Sequence, residues 1–389
     1  MMKRFITLSI CFFTAIILFA ANSLSSSGGD YKAQLRELRS RCHLLKDATA
    51  ADYFFFGMGR RTKMIYQHGR LSSLDGKTII ADFGEIASDT IMPDRYEVRI
   101  VKKSGERVTI TENERGVYIG KKRVAGTNQH VELPSFVGKR YDRVLRVLLH
   151  EVLFNIQPNG CPLPNAEQYS RPFYRDAAYA MMVLKATGNE NVMKPWVIGL
   201  NSVYDHARSD DYEESDNIGQ ALYIISPWQR KTKAFRQKLL NEAEKLKLTA
   251  DNGKNYISGL VDGMTCPVYS TLWLIKGLHA NGLDDSQWAL PDTLDKYTDL
   301  CWMLPDRRSV MKEETYKDTY EWQTRRKNIR MYPYLNAARA HYYNDFKLAV
   351  MSTADYPLTW EQVWKDDGGH ECRTHLWHAA ELFLLIINQ

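Results

Sequence analysis

Four short stretches of this chain set ionisable groups beside aromatic rings and hydrogen-bond donors. They are "YRD" (Tyr174, Arg175, Asp176), "EESDN" (Glu213 to Asn217), "VDG" (around Asp262) and "ECRTHLWH" (Glu371 to His378). Carboxylates crowded at one concave place repel unless protonated, paired or bound, and the crowding lifts the pKa of one of them. One carboxyl can then act as a general acid while another, ionised, activates water or attacks directly. Asp176, Glu214, Asp216 and Asp262 are the candidates for that chemistry. Tyr174, Arg175, Asn217, Gln220, Tyr269, Arg373, His375, Trp377 and His378 could supply rings and directional hydrogen bonds around it. The simpler alternative is that acids near helix amino ends cap the helix and complement its dipole, each for roughly 0.3 to 1 kcal/mol.

The helices that must position these groups are of two kinds. Segments 172–187, 216–226, 267–281 and 376–388 are apolar on nearly every face, as buried helices are. "KRYDRVLRVLLHEVLFNIQ" and "TKAFRQKLLNEAEKLKL" are amphipathic and belong on a surface. Taken in order the two kinds alternate: outer 139–156, inner 172–187, outer 193–207, inner 216–226, outer 232–247, inner 267–281. A weaker continuation follows at 292–303, 333–343, 359–365 and the carboxyl terminus. Strict alternation predicts hairpins in an inner ring wrapped by an outer ring, with the inner amino ends at one mouth. Pro172, Pro195, Pro267 and Pro333 mark helix starts, where a missing N–H costs nothing.

Ahead of the helices the pattern changes. "YFFFGMG", "KMIYQHG", "KTIIADFG", "YEVRIV", "RVTITE" and "GVYIG" fit short strands, and "KKSGER" reads as a hairpin turn. The expected organisation is a leader over 1–23, a helical segment over 24–50, a small antiparallel β domain over 51–130 and the helical domain over 131–389. The fold class expected is mainly α: an (α/α) toroid of about five to six helical hairpins behind that β domain.

The leader carries Lys3 and Arg4, an apolar run from Phe5 to Ala21, and then small residues, which is the form of a secretory signal or, uncleaved, a membrane anchor. The expected location is therefore periplasmic or secreted, with no other contact with membrane. Of the 389 residues, 52 are basic and 46 acidic, and no basic block stands out, so nucleic acid is not an expected partner. Cys42, Cys161, Cys266, Cys301 and Cys372 are odd in number and scattered, without a CxxC pair or an HExxH. That spacing argues against a disulfide framework, and no metal or other cofactor is expected.

"PFYRDAAYAMMVLKATGN" resembles the Arg-Asp signature found at an inner-helix head in several families of the six-hairpin glycosidase superfamily. "EESDNIGQALYIIS" resembles the acidic helix heads that serve catalysis or substrate binding there. The resemblance implies an (α/α) toroid, often with a β domain ahead of it, and a glycoside hydrolase acting on oligosaccharide or polysaccharide fragments. No catalytic pair is carried over from it. Two other functions use the same residues. A polysaccharide lyase would need a Tyr or His base and an Arg beside a uronic acid carboxylate. A carbohydrate-binding protein would need no chemistry at all.

Overall fold

The computed structural model describes residues 30–41, 43–45, 53–126, 130–291, 347–349, 355–358, 361–364 and 370–387. In chain order the α-helices are α1 (Tyr31–Arg41), α2 (Asp142–Phe154), α3 (Tyr174–Thr187), α4 (Lys194–Ile198), α5 (Asn217–Ile225), α6 (Lys233–Lys245), α7 (Pro267–Ala280) and α8 (Leu376–Ile387). The strands are β1 (His43–Leu45), β2 (Tyr53–Phe56), β3 (Met64–Gln67), β4 (Arg70–Ser73), β5 (Ile79–Asp82), β6 (Ile86–Met92), β7 (Glu97–Lys102), β8 (Arg107–Asn113), β9 (Gly116–Ile119) and β10 (Lys122–Ala125). Short strands follow at β11 (Lys247–Thr249), β12 (Asn255–Ile257), β13 (Leu260–Val261), β14 (Met264–Thr265), β15 (Lys347–Ala349), β16 (Glu361–Trp364) and β17 (His370–Arg373).

The class is mixed α/β, which corrects the expected toroid. Two antiparallel sheets, ordered β2-β3-β4-β5 and β10-β9-β8-β7-β6, lie between α1 and the seven later helices. Six hairpins require twelve helices; among the described residues only seven α-helices follow residue 137, one of them five residues long. The outer helix expected over 193–207 ends at Ile198, the one expected over 359–365 is strand β16, and those expected at 292–303 and 333–343 lie outside the described residues. Trp228 ends a 3-10 turn and Trp273 is wholly buried.

The sheets form where the strand pattern lies, with turns that explain their register. His68 (φ 46) and Gly69 (φ 78) are both left-handed and join β3 to β4 through a two-residue turn. The first sheet packs on α2: the rings of Phe55 and Phe154 stack 4.3 Å apart, and those of Phe54 and His150 stack 4.8 Å apart. The second is tied to the first by Glu112, whose carboxylate accepts from Gly57 N–H (2.9 Å), Met58 N–H (2.7 Å) and Arg61 (2.7 Å). Cys161 and Cys266 are buried thiols.

Among the helices, α5 and α7 cross at backbone contact. A methyl built on Gly219 would stand 2.1 Å from the Trp273 carbonyl carbon, so only glycine fits. Gly219 lies against Trp273, Leu222 lies against Gly277, and Asn281 Nδ2 donates to the Leu222 carbonyl (2.8 Å), so the two helices run the same way. Their amino ends consequently lie at the same end of the molecule, which is where the charged residues are found.

Candidate functional site

Arg175, in the first turn of α3, is the centre of the charged cluster. Its Nη2 lies 3.6 Å from Glu214 Oε1 and 3.4 Å from Asp216 Oδ2, and its Nη1 lies 3.5 Å from Asp262 Oδ2. Its guanidinium carbon sits 5.9 Å from the centre of the Tyr269 ring and 5.5 Å from that of Trp377, both within cation–π reach. Residues at the amino ends of α3, α5, α7 and α8 therefore meet around one side chain.

Each acid is placed by a different local device. Asp216 is the residue before α5, yet its side chain makes no cap bond; its Oδ2 accepts from Gln220 Nε2 at 2.6 Å, one turn along the helix. The capping explanation therefore fails for Asp216. Glu214 accepts the Asp262 backbone N–H at 2.7 Å. Asp262 does not head a helix, contrary to the ring arrangement. With Gly263 it forms the two-residue turn between β13 and β14, both residues left-handed at φ 50 and 74. Asp-Gly is the residue pair that such a turn favours, so this positive φ is ordinary turn geometry. Asp262 also pairs with Arg208. Asp176 is buried on the next position of α3, and its charge acts on Arg175.

Burial dominates the electrostatics. It pushes the Asp216 carboxyl up to about 7; Arg175 pulls against this, while Glu214 and Asp205 add to it. Asp205 is also raised by burial, although its carboxylate accepts the Tyr174 and Ala207 backbone N–H groups. Burial would lower Arg175, but Tyr269 and the surrounding carboxylates outweigh it and hold the guanidinium above its ordinary range. Carboxylates outnumber the cations in this cluster, and a proton on Asp216 is the cheapest way to reduce the excess. An acid that titrates near neutrality beside a second carboxylate is the arrangement general acid and base work requires.

The remaining sequence candidates divide. Asn217 belongs to the cluster: its Oδ1 accepts Asp205 N–H at 3.0 Å and its Nδ2 faces Gln220 Oε1 at 3.3 Å. Tyr174 points elsewhere, its hydroxyl donating to the Ser202 carbonyl at 2.8 Å. Arg373 pairs with Glu167 and lies over the Tyr53 and Phe55 rings, at the first sheet. His375 and His378 stack on each other at 4.3 Å, and burial, then His378, hold His375 well below its ordinary pKa. Trp377 stacks on Tyr179 at 6.1 Å as well as facing Arg175.

Asp205 and Arg208 also belong to the cluster, although Asp205 falls in the outer helix expected at 193–207 and Arg208 in the run after it. The density of Ser and Asp over 209–216 marks this stretch as a loop and was the available signal. A cavity of about 270 Å³ lies away from the cluster, between α6 and the carboxyl half of α7, lined by Leu240, Leu274, Leu278 and Trp288 among others. The titrating acids, and not this cavity, are where chemistry is to be sought. Among the described residues no three His, Cys, Asp or Glu side chains are arranged to hold a metal ion, and no helix is long and apolar enough to cross a membrane. The leader lies outside the described residues. No protein-family model matches the chain, and no curated protein matches it.

Proposed function

We propose that this protein is a glycoside hydrolase of the periplasm or cell exterior, acting on oligosaccharide or polysaccharide fragments through paired carboxyls. The observation that carries this reading is the sharing of Arg175 Nη2 by Glu214 and Asp216, with Asp216 pushed up to about 7. In this reading Asp216 holds the proton delivered to the leaving oxygen, and Glu214 and Asp262 supply the opposing carboxylate. Asp262 is the one of the three nearest solvent, with 12% of its side chain exposed. Trp377 and Tyr212 provide aromatic surface beside the acids, of the kind that stacks on sugar rings. The leader supports a location outside the cytoplasm.

Lyase action on uronic acid polymers is the weaker reading. Arg175 is already committed to three carboxylates, and Asp211 and Glu213 expose further negative charge beside the cluster, which repels a polyanion. A non-catalytic carbohydrate binder has a specific observation in its favour: Glu214 and Asp216 are 2% and 0% exposed, already paired as in a structural ion cluster. The test is release of reducing ends from a broad panel of neutral and charged glycans by the full chain, beside Asp216→Asn and Asp262→Asn. Turnover lost in both variants with glycan binding retained supports the hydrolase. Binding without turnover in the parent leaves the binder, and products absorbing as unsaturated uronates would move the assignment to a lyase.

A further inference from the structure

The proposed chemistry requires Glu214 and Asp216 to meet a substrate, and they are covered. Two pieces of chain lie against the cluster: the segment 205–212, through Asp205 N–H on Asn217 and Arg208 on Asp262, and the hairpin 260–265, through Asp262 N–H on Glu214. The hairpin is held to what lies beneath it mostly by polar contacts. Asp262 N–H donates to Glu214 Oε1 (2.7 Å), Ser215 N–H donates to the Leu260 carbonyl (3.0 Å), and the two oxygens of Asp262 reach Arg175 and Arg208. Packing contributes little: Leu260 and Met264 are 51% and 40% exposed, and only Val261 of the four strand residues is fully buried. At its base Gly259 is packed against Ser215, where an added methyl would come within 2.5 Å of the serine Cβ, so the base is fixed while the tip rests on charge.

We propose that the hairpin 260–265 is a lid over the carboxylate cluster, latched by Arg208 against Asp262. Arg208 is the weak side of the latch. Half of its side chain is exposed, it lies over the Tyr212 ring at 5.3 Å, and it belongs to the other covering segment. An ion pair with an exposed partner is weak and salt-sensitive. Releasing it frees the Asp262–Gly263 tip from segment 205–212, and lifting the tip withdraws Asp262 from Arg175 and uncovers Glu214. Opening of this kind is local, involving few buried apolar contacts, and local openings populate far more readily than global unfolding. The lid rests on the hydrolase reading for its purpose, though not for its motion.

Backbone amide exchange on the full chain tests the motion independently of turnover. Arg208→Ala should speed exchange in peptides covering 260–265 by about two- to fivefold, leaving α7 peptides unchanged. Raising ionic strength from about 0.05 to 0.5 M should do the same in the parent protein, which guards against a folding defect in the variant. Hairpin exchange indifferent to both treatments overturns the lid. If exchange responds and no glycan is turned over, the hydrolase reading falls and the lid stands; turnover with an indifferent hairpin reverses that outcome.

Discussion

A methyl group on Gly277 would stand 2.6 Å from the carbonyl oxygen of Gly219, closer than side-chain carbons approach backbone oxygens. With Gly219, whose added methyl would meet the Trp273 and Leu274 backbone, this close approach sets how deeply α5 and α7 interlock and so how near the amino ends of these helices come. The obstructing atoms at Gly219 are all backbone and cannot rotate away. Gly219→Ala and Gly277→Ala should each lower stability by about 3 kcal/mol or more, the upper range for overpacking. Gly199→Ala, where the nearest atom is at 3.4 Å, should stay within about 1 kcal/mol. Chemical denaturation of the three variants is the measurement.

Arg175 is buried with the carboxylates it serves. Removing a buried partner leaves the others uncompensated, at a cost of about 3 to 5 kcal/mol. Arg175→Met should show a loss of that size in denaturant melts near pH 8. The loss should shrink as pH falls toward 7 and level off below it, because without Arg175 the Asp216 carboxyl keeps its proton to a higher pH than in the parent.

Asp216 makes a pH prediction of definite sign. Its folded-state pKa is raised from 3.8 to about 7, so between those values the folded chain binds the extra proton and stability falls as pH rises. Asp94 and Asp205 act in the same direction. His150, lowered to about 3, and His375 act oppositely, because the unfolded chain takes up their protons below about 6.5. The net slope is therefore not diagnostic, but the difference between Asp216→Asn and the parent is. The variant should gain relative stability progressively from about pH 4 to 7 and no further above that. A difference that is flat over this range would remove the raised pKa and with it the proton donor.

How legible all this was depends on what each residue pattern reports. Short runs of strand formers separated by turn residues located β2, β3, β5, β7, β8 and β9, but in β4 ("RLSS"), β6 ("IASDTIM") and β10 ("KRVA") the apolar residues are broken up by Arg, Lys, Ser or Asp. The all-apolar faces of α3, α5, α7 and α8 reported burial, which an apolar face can do; they could not report what buries them. Reading alternation as a ring required an outer helix through 193–207, and the chain leaves its helix at Gly199. In the site, Glu214 and Asp216 lay next to a helix head as read. The hairpin at Asp262 has its own signal, an Asp-Gly between the short pairs Leu260–Val261 and Met264–Thr265, which the helix grammar overrides. That Arg175 would gather three acids was not readable, because it depends on the α5–α7 crossing and on where the hairpin falls.

Lys63 carries the opposite titration from Asp216 and closes the β region against α2. Burial lowers it from 10.5 to about 7, with Glu112 opposing, while its Nζ donates to the Gly57 carbonyl (2.5 Å) and the Gly59 carbonyl (2.6 Å). Between pH 7 and 10.5 the unfolded chain binds the proton that the folded chain has lost, so this residue makes stability rise with pH across that window. Lys63→Met should abolish that rise. It should also loosen the Gly57–Gly59 turn, since the variant leaves both carbonyls without this donor, at about 1 to 3 kcal/mol. Denaturation of parent and variant at about pH 7 and 10 separates the two effects. The turn cost falls on the variant at both pH values, whereas the titration appears as a gap that widens toward pH 10. A gap constant across that range would mean that Lys63 keeps its proton in the folded chain.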